Sequence, residues 1–168
     1  CGARKPDIFI DAPSGPAGAV NAVDRVNEAG LDGDRTGDTS PESAGTDAVS
    51  TSNITNGTIR YSAPDGLNTL TINGTIVSSI GQQIAGDHGT LTITSISNGV
   101  VGYSYKLVDN VDNRVVTSEI FSVVVTERDG DQAAASLTIA IVNDAPIANA
   151  DIGSVVQDDD GQWTASGN

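Results

Sequence analysis

The residues in this chain that could do chemistry are carboxylates. Asp109 and Asp112 follow one alternating apolar stretch and Asp144 ends another; Asp129 and Asp131 flank Gly130; Asp11 and Glu28 lie upstream; Asp32 and Asp34 open a polar loop. Carboxylates gathered close together repel unless a cation neutralises them. Calcium accepts about six to eight oxygens at flexible geometry, which carboxylates and loop carbonyls supply, whereas magnesium demands a stricter octahedron. With one cysteine, Cys1, and one histidine, His88, thiolate and imidazole metals lack ligands. Ca2+ is therefore the expected cofactor. The alternative is a set of hydrated turn aspartates, because Asp-Gly pairs are ordinary turn chemistry.

Asp32-Gly33-Asp34-Arg35-Thr36-Gly37 has the start of an EF-hand loop, with glycine at the sixth place. The glutamate expected at the twelfth place is Ser43 here, and no flanking helices are evident, so a looser calcium loop fits better. His88 lies in a glycine-rich stretch with no nucleophile motif beside it and reads as a loop histidine. No phosphate loop, zinc spacing or nucleophile elbow is present. Paired carboxylates can hydrolyse glycosides, but the sole tryptophan, Trp163, stands in the tail, away from them. The chain is not expected to be an enzyme.

Composition narrows the partners. Lys and Arg number 8 against 22 Asp and Glu, a net charge of −14. Phosphate backbones and anionic membranes would be repelled, so no nucleic acid partner and no membrane insertion is expected. No apolar run is long enough to span a bilayer. Cys1 has no partner for an intrachain disulfide; it fits a cloning remnant, a labelling handle or a lipidated first residue, and no signal peptide is visible.

The elements that must position the carboxylates are strands. Leu67–Ile72 and Thr75–Ser78 flank Asn73-Gly74; Thr90–Ser97 and Val100–Val108 flank Asn98-Gly99; Glu119–Thr126 and Ala133–Val142 flank Asp129-Gly130-Asp131. Each is a hairpin signal, since Asn and Gly tolerate positive φ. Strands at this spacing, without helical periodicity, predict an all-β antiparallel sandwich of about seven strands. Residues 1–23 read as a preceding linker, 24–145 as the sandwich, and 146–168 as a linker with the truncated start of a following repeat. Asp-Ala-Pro recurs at Asp11 and Asp144, as at joints between tandem modules. Antiparallel return of the last strands should bring Asp109, Asp112 and Asp144 to one pole, and Asp129 and Asp131 to the other, near Asp11 and Glu28.

The segments Gly89-Thr90-Leu91-Thr92-Ile93, Val101-Gly102-Tyr103-Ser104-Tyr105-Lys106-Leu107-Val108-Asp109-Asn110, Asp129-Gly130-Asp131 and Leu137–Asp144, in that order, resemble the long repeat of type I secretion target proteins, the RTX-type giant bacterial adhesins. Asn27-Glu28-Ala29-Gly30-Leu31 and Ser62-Ala63-Pro64-Asp65-Gly66-Leu67 fit as well, so the resemblance covers roughly 24–145. The tail from Pro146 is similar to the start of a VCBS or cadherin-like repeat, and Asn143-Asp144-Ala145-Pro146 to the cadherin inter-repeat linker, without the full acidic set. The resemblance implies an immunoglobulin-like sandwich, calcium within or between repeats, a spacer role in cell adhesion and biofilms, neighbouring repeats of the same chain as partners, and an extracellular place on the bacterial surface. It also implies export through a C-terminal signal, which a lipidated Cys1 would contradict. Two other functions are open to this sequence. One is a module binding a host glycan or protein through Tyr61, Tyr103 and Tyr105. The other is a fibre subunit in which Ile8-Phe9-Ile10 completes a neighbour's sheet.

Overall fold

Alternation of apolar and polar residues decides nearly every element of this chain. In the computed structural model, residues 4–31, 44–109 and 118–144 are described, with the backbone of 154–157 and 163–166. The strands are β1 (Asp7–Asp11), β2 (Asn21–Asn27), β3 (Ile54–Ser62), β4 (Leu67–Ile72), β5 (Thr75–Ile76), β6 (Gln83–Ala85), β7 (Gly89–Ser97), β8 (Val100–Leu107), β9 (Ser118–Glu127), β10 (Gln132–Val142), β11 (Ser154–Gln157) and β12 (Trp163–Ser166). Two five-stranded sheets, ordered β1-β3-β8-β7-β6 and β2-β10-β9-β4-β5, face each other, and β11 and β12 pair apart from both. This is an immunoglobulin-like β-sandwich. Ten strands rather than seven build it, because the first strand is divided in two and β5 and β6 are short edge strands. Among the described residues the sole helical turn is a 3-10 turn at Glu28–Gly30, and no helix is long and apolar enough to cross a membrane.

The three hairpin signals hold. Asn73 and Gly74 both take positive φ (49° and 79°) between β4 and β5; Gly99 (78°) turns β7 into β8; Gly130 (98°) turns β9 into β10. The core fills from alternate residues: Val101, Tyr103, Tyr105 and Leu107 of β8, Phe121, Val123 and Val125 of β9, and Leu137, Ile139 and Ile141 of β10 are buried. Tyr105 meets Phe121 edge to face, with ring centroids 5.8 Å apart.

The amino-terminal stretch corrects the reading of residues 1–23 as linker. β1 pairs antiparallel with β3 from Asp7 opposite Ser62 to Asp11 opposite Thr58, and its Ile8 and Ile10 are core residues. Ile8-Phe9-Ile10 is therefore engaged in its own sheet. The chain then leaves that sheet through 12–20 and joins the other as β2, parallel to β10. Asp11 marks the crossover. Its carboxylate accepts from Arg60 Nε at 2.5 Å, Arg60 Nη2 at 3.1 Å and Gly18 N at 2.6 Å. The Arg60 guanidinium holds the Asp11 carboxyl below its usual value, although desolvation opposes it. Arg60 also lies 6.0 Å from the Phe9 ring centroid, within cation–π range.

Two glycines are set by close approach. A Cβ at Gly57 would overlap the Tyr103 hydroxyl, and one at Gly89 the Tyr105 hydroxyl. Neither tyrosine has free space to retreat into, since both are fully buried. Gly57→Ala and Gly89→Ala should each lower stability by about 1–3 kcal/mol or more through overpacking. Urea unfolding of each variant checks this, and an unchanged midpoint would mean the tyrosines are not held where they lie.

Candidate functional site

The inward rows of the strands carry carboxylates as well as apolar side chains. On β9, Glu119 and Glu127 continue the phase of Phe121, Val123 and Val125; both are buried, Glu127 completely. On β2, Asp24 lies between Ala22 and Val26, with no exposure. A carboxylate removed from water must find donors or another charge. Asp24 Oδ2 accepts from Thr55 Oγ1 (2.8 Å) and the Tyr103 hydroxyl (3.1 Å), and Oδ1 from Arg25 N (2.8 Å). Glu119 Oε2 accepts from Asp87 N (2.7 Å) and His88 N (3.3 Å), and Oε1 from the Tyr105 hydroxyl. Two tyrosines of β8 thus reach across the core to carboxylates of the opposite sheet.

The ends of the sandwich hold the remaining acids. At the C-pole, where β10 finishes, Asp144 Oδ2 accepts from Thr46 N (2.7 Å) and Oδ1 from Thr46 Oγ1 (2.5 Å). The Asp144 backbone N–H donates to Glu28 Oε2 at 3.4 Å. Asp109 lies at this end too, just beyond β8, whose neighbour Val108 donates to His88 O. Glu28 was expected at the other pole. The parallel pairing of β2 with β10, which brings Asn27 opposite Val142, carries it here instead. Asp11, expected at a pole, lies in mid-sheet against Arg60. Asp112, Asp32 and Asp34, also expected among the ligands, lie outside the described residues.

At the N-pole, where β1 begins, the β3–β4 and β9–β10 turns meet. Arg128 N donates to Gly66 O at 2.9 Å between them. One carboxylate oxygen each from Asp65, Glu127 and Asp129 lies within 4.8 Å of the others. Asp65 and Asp129 are exposed; Glu127 is fully buried. Glu127 Oε1 accepts from Asp65 N at 2.9 Å, while Oε2 is buried and has no hydrogen-bond partner. Asp131 does not join the group: its N–H donates to Asp129 Oδ1 (3.1 Å), and its carbonyl accepts from Glu127 N (2.8 Å). Sequence reasoning singled out Asp129 but missed Asp65 and Glu127. The signal for Glu127 was its phase with Val123 and Val125; Asp65 was legible only as a turn residue.

A cavity of about 470 Å³ opens beside the β3–β4 turn, lined by Tyr61, Pro64, Leu67 and Asn98. Tyr61 is half-buried, whereas Tyr103 and Tyr105 have no exposure and offer no platform to a glycan.

No family description matches the chain, and no curated protein does. Among solved structures it is similar to the N-terminal Ig1-2 module of the Drosophila receptor protein tyrosine phosphatase DLAR, at 11% identity and a TM-score of 0.43. The match covers 92% of this chain and 57% of that one.

Burial, and then the charge and hydrogen bond of the facing carboxylate, push the pKa of Tyr103 up; burial and the Glu119 hydrogen bond do so for Tyr105. Unfolded tyrosine titrates near 10. A group whose folded value is raised contributes stability that is complete below the unfolded value and lost as pH rises above it. Stability should therefore fall above about pH 10, and each Tyr→Phe variant should flatten that fall. At neutral pH, Tyr105→Phe strips Glu119 Oε1 of its donor and should cost about 1–3 kcal/mol. Tyr103→Phe leaves Thr55 on Asp24 and should cost about 1 kcal/mol or less. Denaturant unfolding of both variants across pH tests the order; equal costs would contradict it.

Proposed function

We propose that this immunoglobulin-like domain is a spacer module of a long extracellular bacterial surface adhesin, joined in series to neighbouring modules of the same chain and stiffened by calcium at its ends. One observation carries this reading: the chain comes in and leaves at opposite poles. β1 starts opposite Ser62, beside the β3–β4 turn, and β10 finishes opposite Asn27, beside Glu28. Modules so connected stack end to end, each adding its full length.

Three further features support it. Both poles gather acidic side chains, Asp65, Glu127 and Asp129 at one and Glu28, Asp109 and Asp144 at the other. Beyond Asp144, β11 and β12 form a hairpin that pairs with neither sheet. The net charge of −14 suits a surface that recruits divalent cations. Among the described residues, the buried acids of the core, Asp24 and Glu119, are occupied by tyrosine and backbone donors.

Calcium should raise the melting temperature of the 168-residue chain and narrow the distribution of orientations between sandwich and tail. Calorimetry and small-angle scattering in millimolar calcium and in chelator measure both. Identical curves in the two conditions would rule out the stiffening role.

A further inference from the structure

The structure assigns a divalent-cation site to the three carboxylates of Asp65, Glu127 and Asp129, a clasp closed within one module between its β3–β4 and β9–β10 turns. It rests on the calcium reading above and gives it a place and a ligand set. Acidic turns alone would not carry this. The buried carboxylate does. Glu127 has no exposure, and its Oε2 has neither a hydrogen-bond donor nor water-accessible surface. No Lys or Arg among the described residues forms an ion pair with the three, and Arg60 is engaged by Asp11. Three carboxylates so placed, one of them dry, repel. A hard cation answers both demands at once: it supplies the missing partner and cancels the repulsion.

The ligand chemistry selects the ion. All donors are oxygens, on two turns with glycines at positive φ, Gly66 at 93° and Gly130 at 98°. Oxygen donors on turns of this kind suit the larger and more adaptable calcium over magnesium. The two turns are already tied by Arg128 N to Gly66 O and by Asp65 N to Glu127 Oε1, so binding needs little reordering. Asp65 Oδ2 also accepts from Arg4 N at 3.1 Å. A cation on Asp65 therefore reaches the chain that comes into the module, and fixes its direction.

The test titrates calcium alone into the 168-residue chain by isothermal calorimetry, with melting curves in calcium and in chelator. Asp65→Asn and Asp129→Asn are exposed, isosteric changes that keep the Arg4 and Asp131 hydrogen bonds. Each should weaken calcium binding at least tenfold and reduce the calcium-dependent rise in melting temperature. Glu127→Gln keeps the oxygen that accepts from Asp65 N and removes the dry charge. It should melt higher than the parent in chelator and lower than the parent in calcium, an inversion that a purely structural role would not produce. Calcium binding undiminished in both Asp→Asn variants would overturn the site. If it were lost instead in Asp144→Asn, calcium at the joint would stand and this clasp would fall. Binding lost in the N-pole variants, with scattering indifferent to calcium, would keep the clasp and remove the stiffening role.

Discussion

A carboxylate carried into an apolar interior must be met by donors or by positive charge, and this sandwich places several there. Asp24, Glu119 and Glu127 share their strands' inward phase with valine, phenylalanine and alanine. The fold answers the first two with tyrosine hydroxyls from β8 and with backbone N–H groups. Those bonds in turn explain the glycines opposite, since Gly57 and Gly89 leave room for the two hydroxyls. The contacts connect opposite sheets, so sheet separation and strand register are fixed by polar contacts inside an aliphatic core. Glu127 is the exception, answered on one oxygen only. From that asymmetry the reading of the N-pole follows.

Much of the sheet was legible in the residues. Asn73-Gly74, Asn98-Gly99 and Asp129-Gly130 turn where their φ preferences require, and the strands around the last of them alternate along their length. The amino-terminal part was not. Asp7–Asp11 is flanked by proline and glycine, and its five residues read as a strand outside this sandwich, before a joint or in a neighbour's sheet, because nothing local says that β3 has a vacant edge for it. Parallel pairing of β2 with β10 is likewise invisible to hairpin reasoning, which pairs only neighbours in sequence. Missing that pairing put Glu28 at the wrong pole. Carboxylates such as Glu119 and Glu127 were hidden for another reason. Charge suggested exposure, while phase with the core, the better guide here, placed them inside.

The two poles differ in how their acids are held. Around Asp144 the protein supplies its own partners, Thr46 donating to the carboxylate and Glu28 accepting from the backbone N–H, so the departing chain is fastened without help. The segment that bears Thr46 is bound by Gly45 N to Leu31 O and Asp47 N to Ala29 O, wrapping the 3-10 turn. Around Asp65 and Glu127 the fastening is incomplete. A string of such domains would have at each junction one finished end facing one end that a cation completes. Cation supply would then set the stiffness of the string and add to the stability of each unit.

The division of the first strand has a mechanical consequence. Tension along the long axis enters through β1 and leaves through β10. It pulls β1 lengthwise against β3 along five paired residues, and β2 lengthwise against β10 along seven. In both ladders the load runs along the strands, so the rungs must slip together rather than peel one after another. Arg60, gripping Asp11 between those ladders, stands where the force passes from one sheet to the other.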